Sequence, residues 1–400
     1  MRGMLQSPDR LNSLALALTD EHRLLWESAR TFARERVASG AAERDKTAVF
    51  PSELLPELAE MGLLAMKVPE EDGGSGADNV GYVLAMAAIA EACASTAVIL
   101  ASSNLATKIL ADHGTEAQRE RWLRPYARGA LGPASFALTE PQGGSDAATL
   151  RTSARLDGDA WVLTGSKMWI TSGAHAGIHL VFARTEPQGG ARGIGCFVVE
   201  RGTPGLTVGA EEDKMGLRSS GTVALHFEDC RIPRENLIGA PGSGYGLALG
   251  ALGAGRIGIA AQCLGIAEAA MVEGLSYAAE RRAFGERVLD FQNSQFVAAN
   301  CRMDLDAAWL LTLRAALLLD RGERARMESS MAKVVASEAC GRVVDAMLQL
   351  HGGYGYSREY RIERLYRDCR VTRIYEGTNE IQRVVIAREL LRDHAEERSA

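Results

Sequence analysis

Hydrophobic positions keep a helical period towards both ends of the chain and a strand period in its middle. From Thr19, "TDEHRLLWESARTFARERVA" sets Leu25, Ala29, Phe32, Ala33 and Val37 on one stripe, three or four residues apart, with the charges elsewhere. Thr19 suits the cap of that helix. Helical segments continue to about residue 130. The period then shortens: "TVALHFEDCRIP" alternates Val223, Leu225 and Phe227 with Thr222, Ala224 and His226, while "IHLVFART" and "GIGCFVVE" are short strand-like runs bounded by glycine and proline. Beyond residue 241 the helical period returns, as in the stripe Cys340, Val343, Val344, Met347 and Leu350. The pattern predicts a mainly α chain with a central β domain, divided as 1–130 helical, 131–240 β and 241–400 helical. The most apolar stretch, "GYVLAMAAIAEACASTAVILASSNLATKIL", is interrupted by Glu91, Ser95, Thr96, Ser102 and Lys108, so it reads as one or two buried helices and not as a membrane span.

Composition narrows the function. The 400 residues, 46% of them hydrophobic, can bury a substantial core. A net charge of -6 gives no basic excess with which to hold a polyanion, which argues against nucleic acid as partner. Seven cysteines lie scattered without a CxxC pair, so neither a disulfide framework nor a zinc knuckle is expected, and a reducing compartment fits best. The apolar patch near the N-terminus follows Asp9 and lacks a convincing cleavage site, which reads as an untargeted, cytoplasmic start. His175 and His179 share i,i+4 spacing but fall in a strand-forming region with no third ligand nearby, so no metal is expected.

Five stretches carry candidate chemistry. In "FALTEPQGGSDAATL" a strand-like run ends at Thr139, and Gly143-Gly144 permit close approach of the backbone before Ser145 and Asp146; an ordinary glycine-rich hairpin would read the same way. In "GSKMWITSG", Trp169 and Thr171 share a face of an alternating segment, a flat ring beside a hydroxyl, or else plain core. "ERRAFGERVLDFQ" groups Arg281, Phe284 and Gln292 around a glycine, and "LQLHGGYGY" closes a helix with Gln349 and Gly352-Gly353, a terminus able to admit a phosphate. In "RIYEGTNEIQR", Glu376 stands on a turn beside Gly377, either as a functional carboxylate or as an acid favoured at a helix entry.

Taken in order, "LTEPQGGSD", "KMWITSG", "DKMGLRSSGTVALHFEDCRIP", "ERRAFGERVLDFQ", "QLHGGYGY" and "RIYEGTNEIQR" resemble the FAD-dependent acyl-CoA dehydrogenases along nearly the whole chain. The resemblance implies an N-terminal helical domain, a central β-barrel and a C-terminal four-helix bundle, assembled as a homotetramer, a dimer of dimers. It implies α,β-dehydrogenation of an acyl-CoA thioester, with Glu376 removing the α-proton and FAD accepting the β-hydride. It further implies that Phe136, Leu138, Thr139, Gly144, Ser145, Trp169 and Thr171 meet the FAD. Arg281, Phe284, Gln292, Gln349 and Gly353 would reach the FAD of a neighbouring subunit, while Thr378 and Glu380 hold that of their own chain. Ser145, Tyr375, Gly377 and Arg256 would face the substrate. Some family members carry the base on the helix matching "GALGAGRIGIA", where this chain has Gly255-Arg256 and no carboxylate. An electron-transfer flavoprotein is the implied acceptor. An acyl-CoA oxidase-like enzyme and a non-catalytic flavoprotein are the alternatives, disfavoured by chain length and by the acidic charge and retained base respectively. "EACASTAVILASSNLATKIL" is similar to the helix pair that closes the pocket of short-chain and short branched-chain members, with Ile99 and Leu100 as plugs beside Thr96 and Ser103.

Overall fold

The computed structural model describes residues 18–397, so the N-terminal patch lies mostly outside the described residues. The first helix, α1 (Asp20–Phe32), begins where Thr19 Oγ1 accepts a hydrogen bond from the His22 amide, 3.1 Å, and the His22 ring Nδ1 in turn accepts one from the Thr19 amide, 3.3 Å. Histidine thus takes the place usual for Glu or Gln in this reciprocal cap. Trp26, outside the predicted stripe, is buried with Ala29 and Phe32.

The apolar stretch forms two helices, α2 (Asn79–Ala92) and α3 (Ala94–His113), separated by Cys93 in extended conformation. They are apolar all round because they are packed all round. By length and composition α3 and the later α4 (Gly244–Glu280) could each cross a membrane, but 94% of the apolar window of α3 and 56% of that of α4 is buried inside the protein. With α4, the helices α5 (Gln292–Asp320), α6 (Arg326–His351) and α7 (Asn379–Glu397) build the C-terminal bundle, and α4 also packs against α2 and α3.

Between the two helical regions lies one eight-stranded sheet of β1 (Ala134–Ala137), β2 (Ser153–Asp157), β3 (Ala160–Ile170), β4 (Ile178–Arg184), β5 (Ile194–Glu200), β6 (Leu206–Glu211), β7 (Val223–Pro233) and β8 (Leu237–Ile238). Its order is β6-β7-β3-β2-β4-β5-β8, with β1 parallel to β4. In β4 and β5, Leu180, Phe182, Cys196 and Val198 join the helical core, whereas Val181, Ala183, Phe197 and Val199 join the sheet's own core. Burial on both faces explains why these strands read as continuous apolar runs.

One edge of β4 is shared. Residues 178–181 pair with β1 and Arg184 pairs with Ser153 of β2, so the chain between β1 and β2 leaves the sheet as a long loop at that edge. That loop contains "LTEPQGGSD".

Candidate active site

Glu376 lies in the short turn before α7 and has a left-handed backbone, φ +49°, followed by Gly377 at φ +87°. A non-glycine residue in this region is uncommon and persists only when its surroundings hold it there. Here α6 does so. The buried Lys333 ammonium donates to the Gly377 carbonyl and to Asn379 Oδ1, both at 2.9 Å, and Gln382 Nε2 donates to the carbonyls of Glu376 and Gly377 at 3.2 Å. Thr378 Oγ1 accepts from the Ile381 amide, 3.3 Å, and so caps α7. Tyr375 donates through its hydroxyl to Gln262 Oε1 on α4.

The Glu376 carboxylate points at α4. A Cβ on Gly255 would lie 2.9 Å from Glu376 Oε2 and 3.1 Å from Leu105 Cδ1, so only glycine leaves that oxygen its place. Oε2 is shut off from solvent and has no hydrogen-bond partner. Burial raises the carboxyl pKa to about 7, against the opposing fields of Lys333 and Arg256. A buried, unpaired carboxylate is costly for folding, and where a chain retains one it marks chemistry more often than architecture. Arg256 is turned inward to donate to Ser330 Oγ, 2.9 Å, and is 8% exposed. Its charge lowers the carboxyl pKa of the nearby Glu376.

The second grouping surrounds the β1–β2 loop. The Met168 amide donates to the Thr139 carbonyl, 2.9 Å, which draws Trp169 beside Thr139, and Gly144 lies so near that an added Cβ would stand 3.1 Å from Thr139 Oγ1. Trp169 does not follow regular strand alternation. The register of β3 on β7 shifts between Lys167 and Ile170, and the tryptophan takes φ +61° and is 57% exposed, so it is not core. Thr171 follows just beyond the strand, and Ser145 is exposed. Phe136 is half-buried on β1, its ring packed against Phe182, 4.9 Å between centroids. Leu138 is buried.

A third grouping lies at the far end of α4 and α6. A cavity of about 550 Å³ is lined by Arg281, Gln349, Gly352, Gly353 and Tyr354 among others, and its lining includes no residue of the other two groupings. The Arg281 guanidinium lies 5.6 Å from the centre of the Tyr354 ring. Phe284, left-handed at φ +53°, is 98% exposed, and Gln292 and Glu380 are exposed at the first turns of α5 and α7.

An exposed indole beside hydroxyls and paired glycines fits a planar redox cofactor, and a cavity that combines Arg281 with the glycine pair Gly352-Gly353, Glu359 also lining it, offers a place for a polar part of one. With the Glu376 carboxylate, the arrangement fits a flavin-dependent oxidoreductase that removes hydrogen from carbon. The chain belongs to the acyl-CoA dehydrogenase family, whose members use FAD: the family's N-terminal, middle and C-terminal domains match residues 19–130, 135–230 and 242–391. It is 45% identical over 382 residues to the short-chain specific acyl-CoA dehydrogenase, mitochondrial, of Rattus norvegicus, covering 95% of this chain and 92% of that protein. It is 41% identical to the acryloyl-CoA reductase (NADH) of Anaerotignum propionicum, covering 96% and 98%. The structure of butyryl-CoA dehydrogenase from Megasphaera elsdenii superposes with a TM-score of 0.91 at 39% identity, covering 94% of this chain and 99% of that one. The enzyme is an acyl-CoA dehydrogenase.

Sequence reasoning missed the groups that hold the site. Lys333 sits at helical spacing with Ser337, Cys340 and Val344, a cation on an apolar stripe, and that anomaly could have flagged it. Glu140 and Lys167, which tie the β1–β2 loop to β3, carry no comparable local signal.

Proposed function

We propose that this chain dehydrogenates short acyl-CoA thioesters between Cα and Cβ, with Glu376 as the base. The observation that carries this reading is the buried, unpartnered Glu376 Oε2 facing the bare glycine Gly255. FAD, when bound, supplies the two-electron acceptor. Glu376, ionised, takes the α-proton and keeps it on its carboxyl group; its apolar surroundings bring its basicity up towards that of the activated carbon acid. Thr139, Gly144, Ser145, Trp169 and Thr171 hold the ring-bearing part of the cofactor, and Thr378 and Glu380 assist from the same chain. Arg281, Phe284, Gln292, Gln349 and Gly353 serve the cofactor of a neighbouring subunit within a homotetramer, a dimer of dimers. Both the separateness of their cavity and the full exposure of Phe284 support that assignment. Ser145, Tyr375 and Gly377 line the substrate side. The short-chain reading is supported by the relatives named above.

An electron-transfer flavoprotein is the proposed acceptor, and the cytoplasm the proposed location; the free state of all seven buried cysteines supports a reducing compartment. The purified protein is expected to be yellow and to bleach anaerobically with butyryl-CoA. Glu376→Gln should keep FAD and ligand binding while flavin reduction slows about 10²–10⁴-fold. A colourless protein that FAD does not reconstitute, or a variant reducing its flavin at the wild-type rate, would refute the reading. Stoichiometric peroxide release in air would replace the flavoprotein acceptor by oxygen.

A further inference from the structure

Helix α4 changes character along its length. From Gly244 to Gly255 it is largely part-exposed, and Gly246, Gly250 and Gly253 have nothing within 4 Å of an added Cβ. From Arg256 to Ala267 it is buried. Gly255, Gly258 and Gln262 follow at i, i+3 and i+7, on one face. Gly255 meets Glu376, while a Cβ on Gly258 would lie 2.4 Å from the hydroxyl oxygen of Tyr82, which reaches across from α2 and is 3% exposed. Burial, with the nearby Glu376 charge, pushes the Tyr82 phenol well above its ordinary pKa, so it stays neutral.

Helix α3 runs antiparallel beside this face. Leu105 packs near Gly255 at one end, and the Ala94 carbonyl accepts from Gln262 Nε2, 2.8 Å, at the other. The phenol therefore fills the space between α3 and α4 one turn inward from the base. Ser103, expected to lie beside the plugs Ile99 and Leu100, is hydrogen bonded to the backbone of Ala134 in β1, at 3.3 Å.

We infer that Tyr82 is the floor of the acyl channel and sets the longest chain accepted, an inference that rests on Glu376 being the base. CoA is large and anionic and stays with the exposed half of α4, so the acyl tail passes Glu376 and continues inward along the glycine face. Side chains three residues apart on a helix are separated by about 5–6 Å. An extended hydrocarbon advances about 1.25 Å per bond, from C–C bonds near 1.5 Å at a near-tetrahedral angle. The phenol is thus met about four bonds beyond the carbon that Glu376 deprotonates.

The test is kcat/KM for butyryl-, hexanoyl- and octanoyl-CoA with one artificial acceptor, on wild type, Tyr82→Phe, Tyr82→Leu and Tyr82→Ala, each checked for FAD content. Opening the floor should raise the octanoyl-to-butyryl ratio by about tenfold or more in Tyr82→Ala, since each methylene accommodated beyond the phenol adds about fourfold. Tyr82→Leu should move it the same way by less, and it carries the test if the alanine variant loses FAD. Tyr82→Phe keeps the ring and should keep the wild-type ranking of chain lengths. FAD-loaded variants whose ratios stay within about twofold of wild type would overturn the role of Tyr82 alone. Failure of butyryl-CoA to bleach the wild-type flavin would overturn it together with the functional reading.

Discussion

A base that takes a proton from carbon must be ionised, yet basic enough to compete for that proton. With its carboxyl at about 7, Glu376 is protonated and idle in acid and competent above neutrality. The rate of flavin reduction is therefore expected to rise about tenfold per pH unit below that value and to level off above it. Lys333 sharpens the test. Its field lowers the Glu376 pKa in concert with that of Arg256, while the buried Tyr82 and Tyr375 hydroxyls close to Glu376 stay neutral. Removing the Lys333 charge leaves the desolvation of Glu376 less opposed, so in Lys333→Met the stopped-flow midpoint should move to higher pH. Lys333→Arg, which keeps the charge, should move it less. A slower variant with an unmoved midpoint would reduce Lys333 to a structural clamp.

At the level of elements, what positions Thr139 and Trp169 is a buried ion pair joining a loop to a strand. Lys167 Nζ donates to Glu140 Oε1 at 2.8 Å and to the Leu138 carbonyl at 3.1 Å, and Glu140 also accepts from the Arg151 and Thr152 amides. Burial pushes the Glu140 carboxyl up, but the Lys167 charge and these hydrogen bonds outweigh it and hold the group at about 2. Because its folded pKa lies below the ordinary carboxylate value, the stability it contributes is present above that value and fades as pH falls towards 2. Glu140→Gln strands Lys167 without a counter-charge and should cost about 3–5 kcal/mol, read as a lower Tm together with loss of FAD. Unchanged Tm and FAD content would show that the pair is dispensable. The elements themselves were largely legible: hydrophobic period located α1 and β7, which each bury one face, while unbroken apolar runs located β4, β5 and the stretch, read as one or two helices, that forms α2 and α3, because these are buried on more than one face. Less legible was what departs from period. The bulge that turns Trp169 outward, the left-handed turn at Glu376 and the inward rotation of Arg256 arise from contacts between segments far apart in sequence, which no local pattern records.

At the scale of the whole molecule, α5 carries Phe296, Met303, Leu310 and Leu317 at seven-residue intervals, all exposed, and this row of apolar side chains has the spacing of a helix–helix seam. A row of that length on the surface of a lone chain marks a contact with another. Its buried counterpart, Cys301, Leu305, Ala308 and Trp309, faces the bundle, so the same helix is saturated on one side and unpartnered on the other. The adjoining turn presents Arg281, Phe284 and Gln292, the residues proposed to serve a neighbour's cofactor. Assembly and FAD retention should therefore fail together. A Met303→Glu, Leu310→Glu double variant introduces charges into a face where each fully buried apolar side chain is worth about 1.5–3 kcal/mol. Sedimentation should show a species smaller than the tetramer, with a FAD-to-subunit ratio well below one, while the variant chain remains helical by circular dichroism. A tetramer of unchanged mass would move the interface elsewhere. A smaller species that kept its full complement of FAD would mean that each chain holds its cofactor alone, and would leave the cavity around Arg281, Gln349 and Gly353 without the role proposed for it.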